Sequence, residues 1–102
     1  MNSSVLIEEL KTAAQMSLSP VARTLHKGNA AKATVLVFRS GAVLREHQSS
    51  VPATLFVVEG KVLYREDGQE TTLSTHEHTA IPPQRTHVVE AITDSVCLLI
   101  QG

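Results

Sequence analysis

The sequence predicts an all-β domain, a barrel or sandwich of short strands, preceded by one short α-helix. Three observations carry this expectation. After Pro20, apolar and β-branched runs recur at a spacing of roughly ten residues, each closed by turn residues. No helix-length segment separates those runs, which argues against βαβ units. Only before Pro20 do the apolar residues follow helical spacing instead.

Residues 4–18 read as the helix: Leu6, Leu10, Ala13 and Ala14 fall on one face, with Glu8, Glu9, Lys11 and Gln15 mostly elsewhere. Ser3 or Ser4 can cap its start, and Pro20 stops it. Its expected role is to cover a sheet edge or to pack on a partner. Strands are then expected over 21–26, 32–39, 42–48, 54–58, 62–66, 69–73, 77–81, 87–92 and 95–101. Gly28-Asn29, Ser40-Gly41, Glu59-Gly60 and Thr93-Asp94 serve as turns, and Pro82-Pro83 breaks the chain between two strands. Asp67-Gly68 makes a good hairpin turn, because both residues tolerate positive φ. The chain thus divides into a helical segment, 1–19, and a β domain, 20–102.

Composition bounds the function. A chain of 102 residues allows one domain with a thin core. Hydrophobic residues at 42% suit a globular fold and argue against disorder. Aromatics at 3% are too few for a base-stacking platform, and 9 Lys plus Arg against 10 Asp plus Glu offer no basic surface. Neither nucleic acid nor a membrane is therefore expected as a partner; the longest apolar run is far short of a span. The first residues lack the basic start and apolar core of a secretion signal, so the expected compartment is the cytoplasm. The single cysteine, Cys97, lies in an apolar run and is expected as a buried thiol rather than a nucleophile.

Two stretches carry residues with chemical potential. One runs from Gly41 through His47 and Ser49 to Gly60; the other runs from Leu73 through His76, Pro82 and His87 to Ala91. Together they resemble the cupin superfamily, whose first motif is G-x5-H-x-H-x3,4-E-x6-G and whose second is G-x5-P-x-G-x2-H-x3-N. Gly41, His47 and Gly60 match the first, and Pro82 and His87 match the second. The resemblance covers about residues 20–102. It implies a cupin-type β-barrel (a double-stranded β-helix, or jelly roll) of the small, single-domain, RmlC-like kind.

The departures from the family pattern matter as much. Ser49 stands at the second histidine of the first motif and Ala53 at its glutamate. In the second motif His76 and Gln84 stand at glycines, and Ala91 at the terminal asparagine. Of the family's metal ligands only His47 and His87 remain. Residues two apart on a strand share a face at roughly 6.6 Å, so an intact His-x-His converges on one ion. Two neutral imidazoles without a carboxylate hold a divalent cation weakly, and an iron- or manganese-dependent oxygenase is not expected. His78 is a candidate third ligand if it points inward. Alternation places it with Ala80, and Glu77 with Thr79 and Ile81, and leaves open which face is the inner one. His76 is expected as an exposed turn residue.

The residues favour a small-molecule-binding module. Its ligand, polar or anionic, would meet His47, His87 and Arg45 at one end of a cavity lined by Ser49, Leu55, Val57 and Tyr64. Arg45 shares the face of His47 if alternation holds. A labile divalent-metal protein using His47, His87 and His78 comes second. A metal-independent isomerase or epimerase with a histidine base comes third, with Glu59 the candidate to orient that base. No cofactor is assigned; a divalent metal is the one candidate the residues suggest. His87, Val89 and Ala91 are expected to face inward. The alternating Val88 and Ile92 then leave apolar residues on the outer face, and a homodimer is expected.

Overall fold

The computed structural model describes residues 2–47 and 49–102, except for the side chains of Glu46 and His47. One helix, α1 (Ser3–Ala14), precedes nine strands: β1 (Val21–Lys27), β2 (Lys32–Phe38), β3 (Val43–His47), β4 (Ala53–Glu59), β5 (Lys61–Glu66), β6 (Gln69–Ser74), β7 (His78–Ile81), β8 (His87–Ala91) and β9 (Ser95–Gln101). They form two sheets, β1-β2-β9-β4-β7 and β3-β8-β5-β6, with antiparallel pairing throughout. No helix among the described residues is long and apolar enough to cross a membrane.

Period-two alternation decides which residues meet between the sheets. From the first sheet Leu36 and Phe38 of β2, Ala53, Leu55 and Val57 of β4, and Cys97 and Leu99 of β9 point inward. Val62 and Tyr64 of β5, Leu73 of β6, and Val89 and Ala91 of β8 meet them from the second sheet. The inward set expected for β8 is therefore the buried one. Burial pushes the Cys97 thiol up to about 12, so it stays protonated at neutral pH and fills space as a small apolar group.

The opposite face of β2 and β9 carries a second apolar cluster, Val35, Val37 and Val96, on which Leu6, Leu10 and Ala14 of α1 pack. The strand pairs β2–β9 are thus buried on both faces, which explains their near-continuous apolar sequence. The helix differs from expectation in three respects. Its N-cap is Asn2, whose Oδ1 accepts a hydrogen bond from Ser4 N at 2.8 Å, rather than Ser3 or Ser4. Ala13 is exposed, and Ile7 takes the place expected for it against the sheet. The helix stops at Ala14: Met16 is 92% exposed, so nothing beyond that point gains burial by continuing it.

On the outer face of the second sheet, Arg65 pairs with Glu70 at 3.3 Å and Glu90 at 3.1 Å, and Val88 opposite it is half-buried. Ile92 is exposed beyond the end of β8.

Turn chemistry matches the sequence at the β5–β6 hairpin, where Asp67 (φ 49°) and Gly68 (φ 76°) both take positive φ. Gly60 (φ 103°) is required for a different reason. A Cβ there would lie 2.5 Å from the backbone oxygen of Asp94, so only glycine lets β4 turn into β5 against that loop. Two further positions with positive φ are His76 (φ 69°) and Gln84 (φ 60°), the positions where the resemblance places glycine. Both are side-chain-bearing residues in the left-handed conformation, at a cost of about 1 kcal/mol each. His76 stacks on Phe56, with ring centroids 6.5 Å apart, whereas Gln84 is exposed. Gln84→Gly is expected to stabilise the fold by about 0.5–1 kcal/mol in urea denaturation, since removing Cβ relieves the strained conformation. An unchanged or lower midpoint would show that Gln84 is not strained.

Candidate functional site

The polar end of the barrel is built by three neighbouring strands, in the order β3-β8-β5. β3 and β5 end there, and β8 begins there after the Pro82-Pro83 turn. Register aligns one row of residues across them: His47 pairs with His87, His87 with Glu66, and Glu66 with Gln69 of β6. Tyr64, two residues before Glu66, lies on the same face and pairs with Val89. The interior below this row is the apolar cluster that contains Leu55 and Val57.

His87 is 3% exposed, and its ring lies 5.9 Å from that of Tyr64. Its Nδ1 lies 3.1 Å from the carbonyl oxygen of Arg85. A carbonyl only accepts, so this contact is a hydrogen bond when Nδ1 carries the proton. The basic nitrogen of the neutral ring is then Nε2. The Tyr64 hydroxyl donates to Glu66 Oε1 at 2.7 Å, and Arg85 Nη1 approaches Glu66 Oε2 at 3.8 Å while also pairing with Asp67. Glu66 is therefore held between a phenol and a guanidinium, with its side chain 21% exposed. Burial pushes the Tyr64 phenol well above its ordinary value, and the neighbouring Glu66 carboxylate adds to the shift. Tyr64 is a hydrogen-bond donor over the whole physiological range.

The sequence-derived site residues separate into two groups. His87, Tyr64, Leu55 and Val57 all contribute to the interior of one barrel. His47 joins them by backbone register with His87, and its side chain lies outside the described residues. Ser49 is buried on the loop after β3, where its Oγ accepts hydrogen bonds at 3.3 Å from Val51 N and from Gln101 Nε2. Its carbonyl accepts from Gln84 N at 2.7 Å, so Ser49 ties two loops and β9 together.

Three expectations are corrected. Arg45 is exposed, because a register shift between Leu44 and His47 inserts an extra residue and breaks the alternation that would have placed it at the pocket. His78 is exposed on the outer face of the other sheet. There it pairs with Phe56 and stacks on its ring at 6.5 Å, while Thr79 and Ile81 take the inner side. Glu59 pairs with Lys11 of α1 at 2.6 Å and takes no part in orienting a histidine.

Glu66 and Arg85 were missed. Their signal was faint: the Asp67-Gly68 turn fixes Glu66 as the last residue of β5, and the spacing of two from Tyr64 puts both on one face. That β5 lies beside the start of β8 is a tertiary fact.

The described side chains at this end include one imidazole, His87, and two carboxylates, Glu66 and Asp67, both of which pair with Arg85. Among the described residues no group of three or more His, Cys, Asp or Glu side chains is arranged to hold a metal ion.

The architecture belongs to the class of two-sheet antiparallel β-barrels. Solved structures of that class superpose on most of the chain. A cupin superfamily protein from Desulfitobacterium hafniense matches with a TM-score of 0.78 at 14% identity, over 81% of this chain and 76% of that one. An RmlC-like cupin from Shewanella frigidimarina gives 0.77 at 20% identity, over 85% and 78%. KdgF from a Halomonas species gives 0.74 at 21% identity, over 85% and 82%. The fold is that of the cupin superfamily, including its RmlC-like members. No family model matches the sequence, and no curated protein does so.

Because the neutral phenol is favoured in the folded state, Tyr64 contributes stability that is complete below its ordinary value of 10.0 and is lost as pH rises above it. Tyr64 is the single tyrosine, so an ultraviolet titration reports it alone. The folded protein should show no phenolate at a pH where the unfolded chain is largely ionised, and Tyr64→Phe should flatten the loss of stability in that range. Ionisation near the ordinary value would mean that the phenol is open to water.

Proposed function

We propose that the chain is a small-molecule-binding module whose ligand sits at the end of the barrel marked by His87, Glu66 and Tyr64. His47 is the second imidazole of that site. The observation that carries this is the cross-strand row His47–His87–Glu66. Directly opposed residues of an antiparallel pair have Cβ atoms about 4.5–5.5 Å apart, close enough for adjacent side chains to grip one small molecule. The apolar interior with Leu55 and Val57 excludes water behind it.

The groups at hand favour a ligand rich in hydroxyl donors. The Glu66 carboxylate accepts hydrogen bonds and the imidazole of His87 is a polar ring beside it in the same row, and ligand hydroxyls suit both kinds of group. Arg85 supplies positive charge at the rim, but Glu66 and Asp67 already pair with it. A single anionic group is thus tolerated at the rim, and a multiply charged anion is not. A thermal-shift screen with sugars, polyols and hydroxy acids should find stabilisers. A ligand at a hundredfold excess over its Kd adds about 2.7 kcal/mol. His87→Ala and Glu66→Gln should each remove most of the response. A screen without hits, or hits indifferent to both substitutions, would overturn the proposal.

The same row supports a second function, labile binding of a divalent metal by His47, His87 and Glu66. The carboxylate here comes from β5 rather than from position 53, where the family has its glutamate. Titration calorimetry of the untagged protein with Zn²⁺ should show one weak site per chain that is lost in His47→Ala and His87→Ala and weakened in Glu66→Gln. Stoichiometric binding unaffected by these changes would place the metal elsewhere.

A further inference from the structure

A second candidate site lies at the opposite end of the molecule. β2 ends at Phe38, which pairs with Ser95 at the start of β9, and β9 runs away from there to Gln101, beside the loops that lead to His87. Between the C-terminal half of α1 and this far end of the first sheet is a cleft of about 270 Å³. Its charged residues are Glu8, Lys11, Arg39, Glu59 and Asp94. The volume falls just below the roughly 300–1,000 Å³ of pockets for drug-sized ligands, so an occupant must be small.

The charges in this cleft are unevenly satisfied. Lys11 is committed: its Nζ lies 2.6 Å from Glu59 and 3.7 Å from Glu8. Asp94 accepts a hydrogen bond from Ser40 N at Oδ1, at 2.7 Å. Arg39 is half-buried, and its Nε donates to the carbonyl oxygen of Ser17 at 2.9 Å. That bond fixes the guanidinium plane at the cleft wall, and no described carboxylate pairs with it. A guanidinium held by Nε presents its two terminal nitrogens as a fork that matches a carboxylate bidentately.

Arg39 thus calls for a carboxylate, yet the cleft as a whole holds two cations and three carboxylates, and a bare anion would add to an existing negative excess. A molecule with one charge of each sign meets both conditions. We propose that this cleft binds a small zwitterion, a free α-amino acid, with its carboxylate on the Arg39 guanidinium and its ammonium toward Glu59 and Asp94. Both charges of the ligand are then paired in a partly enclosed space, where such pairs are worth more than in open water. The side chain of a small amino acid extends over Val37 and Val96, which form the apolar floor. This site is separate from the barrel end and does not depend on it.

The test is a thermal-shift and NMR titration of the intact chain with neutral α-amino acids, beside acetate and methylammonium, each of which carries half of the charge pair. Amino acids should raise Tm, and neither half-ligand should do so at the same concentration. Arg39→Lys, which keeps the charge and loses the fork, should abolish the Tm shift. Thr12→Phe, which blocks the cleft from the helix and leaves Arg39 in place, should do the same, whereas His87→Ala should retain the full shift. The proposal is overturned if no amino acid raises Tm, if acetate alone reproduces the effect, if both cleft variants fold and still respond, or if His87→Ala removes the response.

Discussion

The register of β8 against its two neighbours holds the chemistry of this protein together. β8 starts at His87, pairs on one side with the end of β3 and on the other with the end of β5. A slip of one residue in either pairing would turn His87 or Tyr64 to the opposite face. The apolar residues prevent that slip. Val62 and Tyr64 on β5 and Val89 and Ala91 on β8 must all reach the space between the sheets, and only one register buries them together. The polar row at the barrel's end is thus fixed by the burial of apolar residues one and two steps further in.

In that row Glu66 sits at the edge of an apolar interior with both carboxylate oxygens engaged. Glu66 would be costly beside Tyr64 and His87 without the phenol donor on one oxygen and Arg85 near the other. Arg85 in turn is steadied by Asp67 in the hairpin turn and orients its own carbonyl toward His87 Nδ1. Residues of one hairpin and one loop therefore surround the imidazole on this side.

The two ends of the molecule use ion pairs differently. Near His87 the carboxylate and guanidinium sit at the mouth of the barrel. At the far end, Lys11–Glu59 and the contact of Arg39 with Ser17 pin α1 and the segment after it to the outside of the first sheet. The helix buries Leu6, Leu10 and Ala14 and closes one half of that sheet's outer face. The other half, around Phe56, His76 and His78, stays uncovered within the chain.

Sequence alone determined the sheet-rich architecture, because alternation, turn residues and the single helical stretch are local properties that each segment displays by itself. It also determined the inward set of β8, the hairpin at Asp67-Gly68 and the burial of Cys97. Local pattern did not reveal the bulge before His47, which displaces Arg45 from the expected face, since an inserted residue has no signature of its own on a strand. Nor did it show that His78 faces out, because apolar residues lie on both sides of β7. The partnership of Glu66 with His87 was decided only by tertiary structure: the two are twenty-one positions apart in the chain and adjacent only because β5 and β8 pair. Pairing between distant strands is chosen by the burial of whole faces, a property of the assembled sheets that no single segment carries.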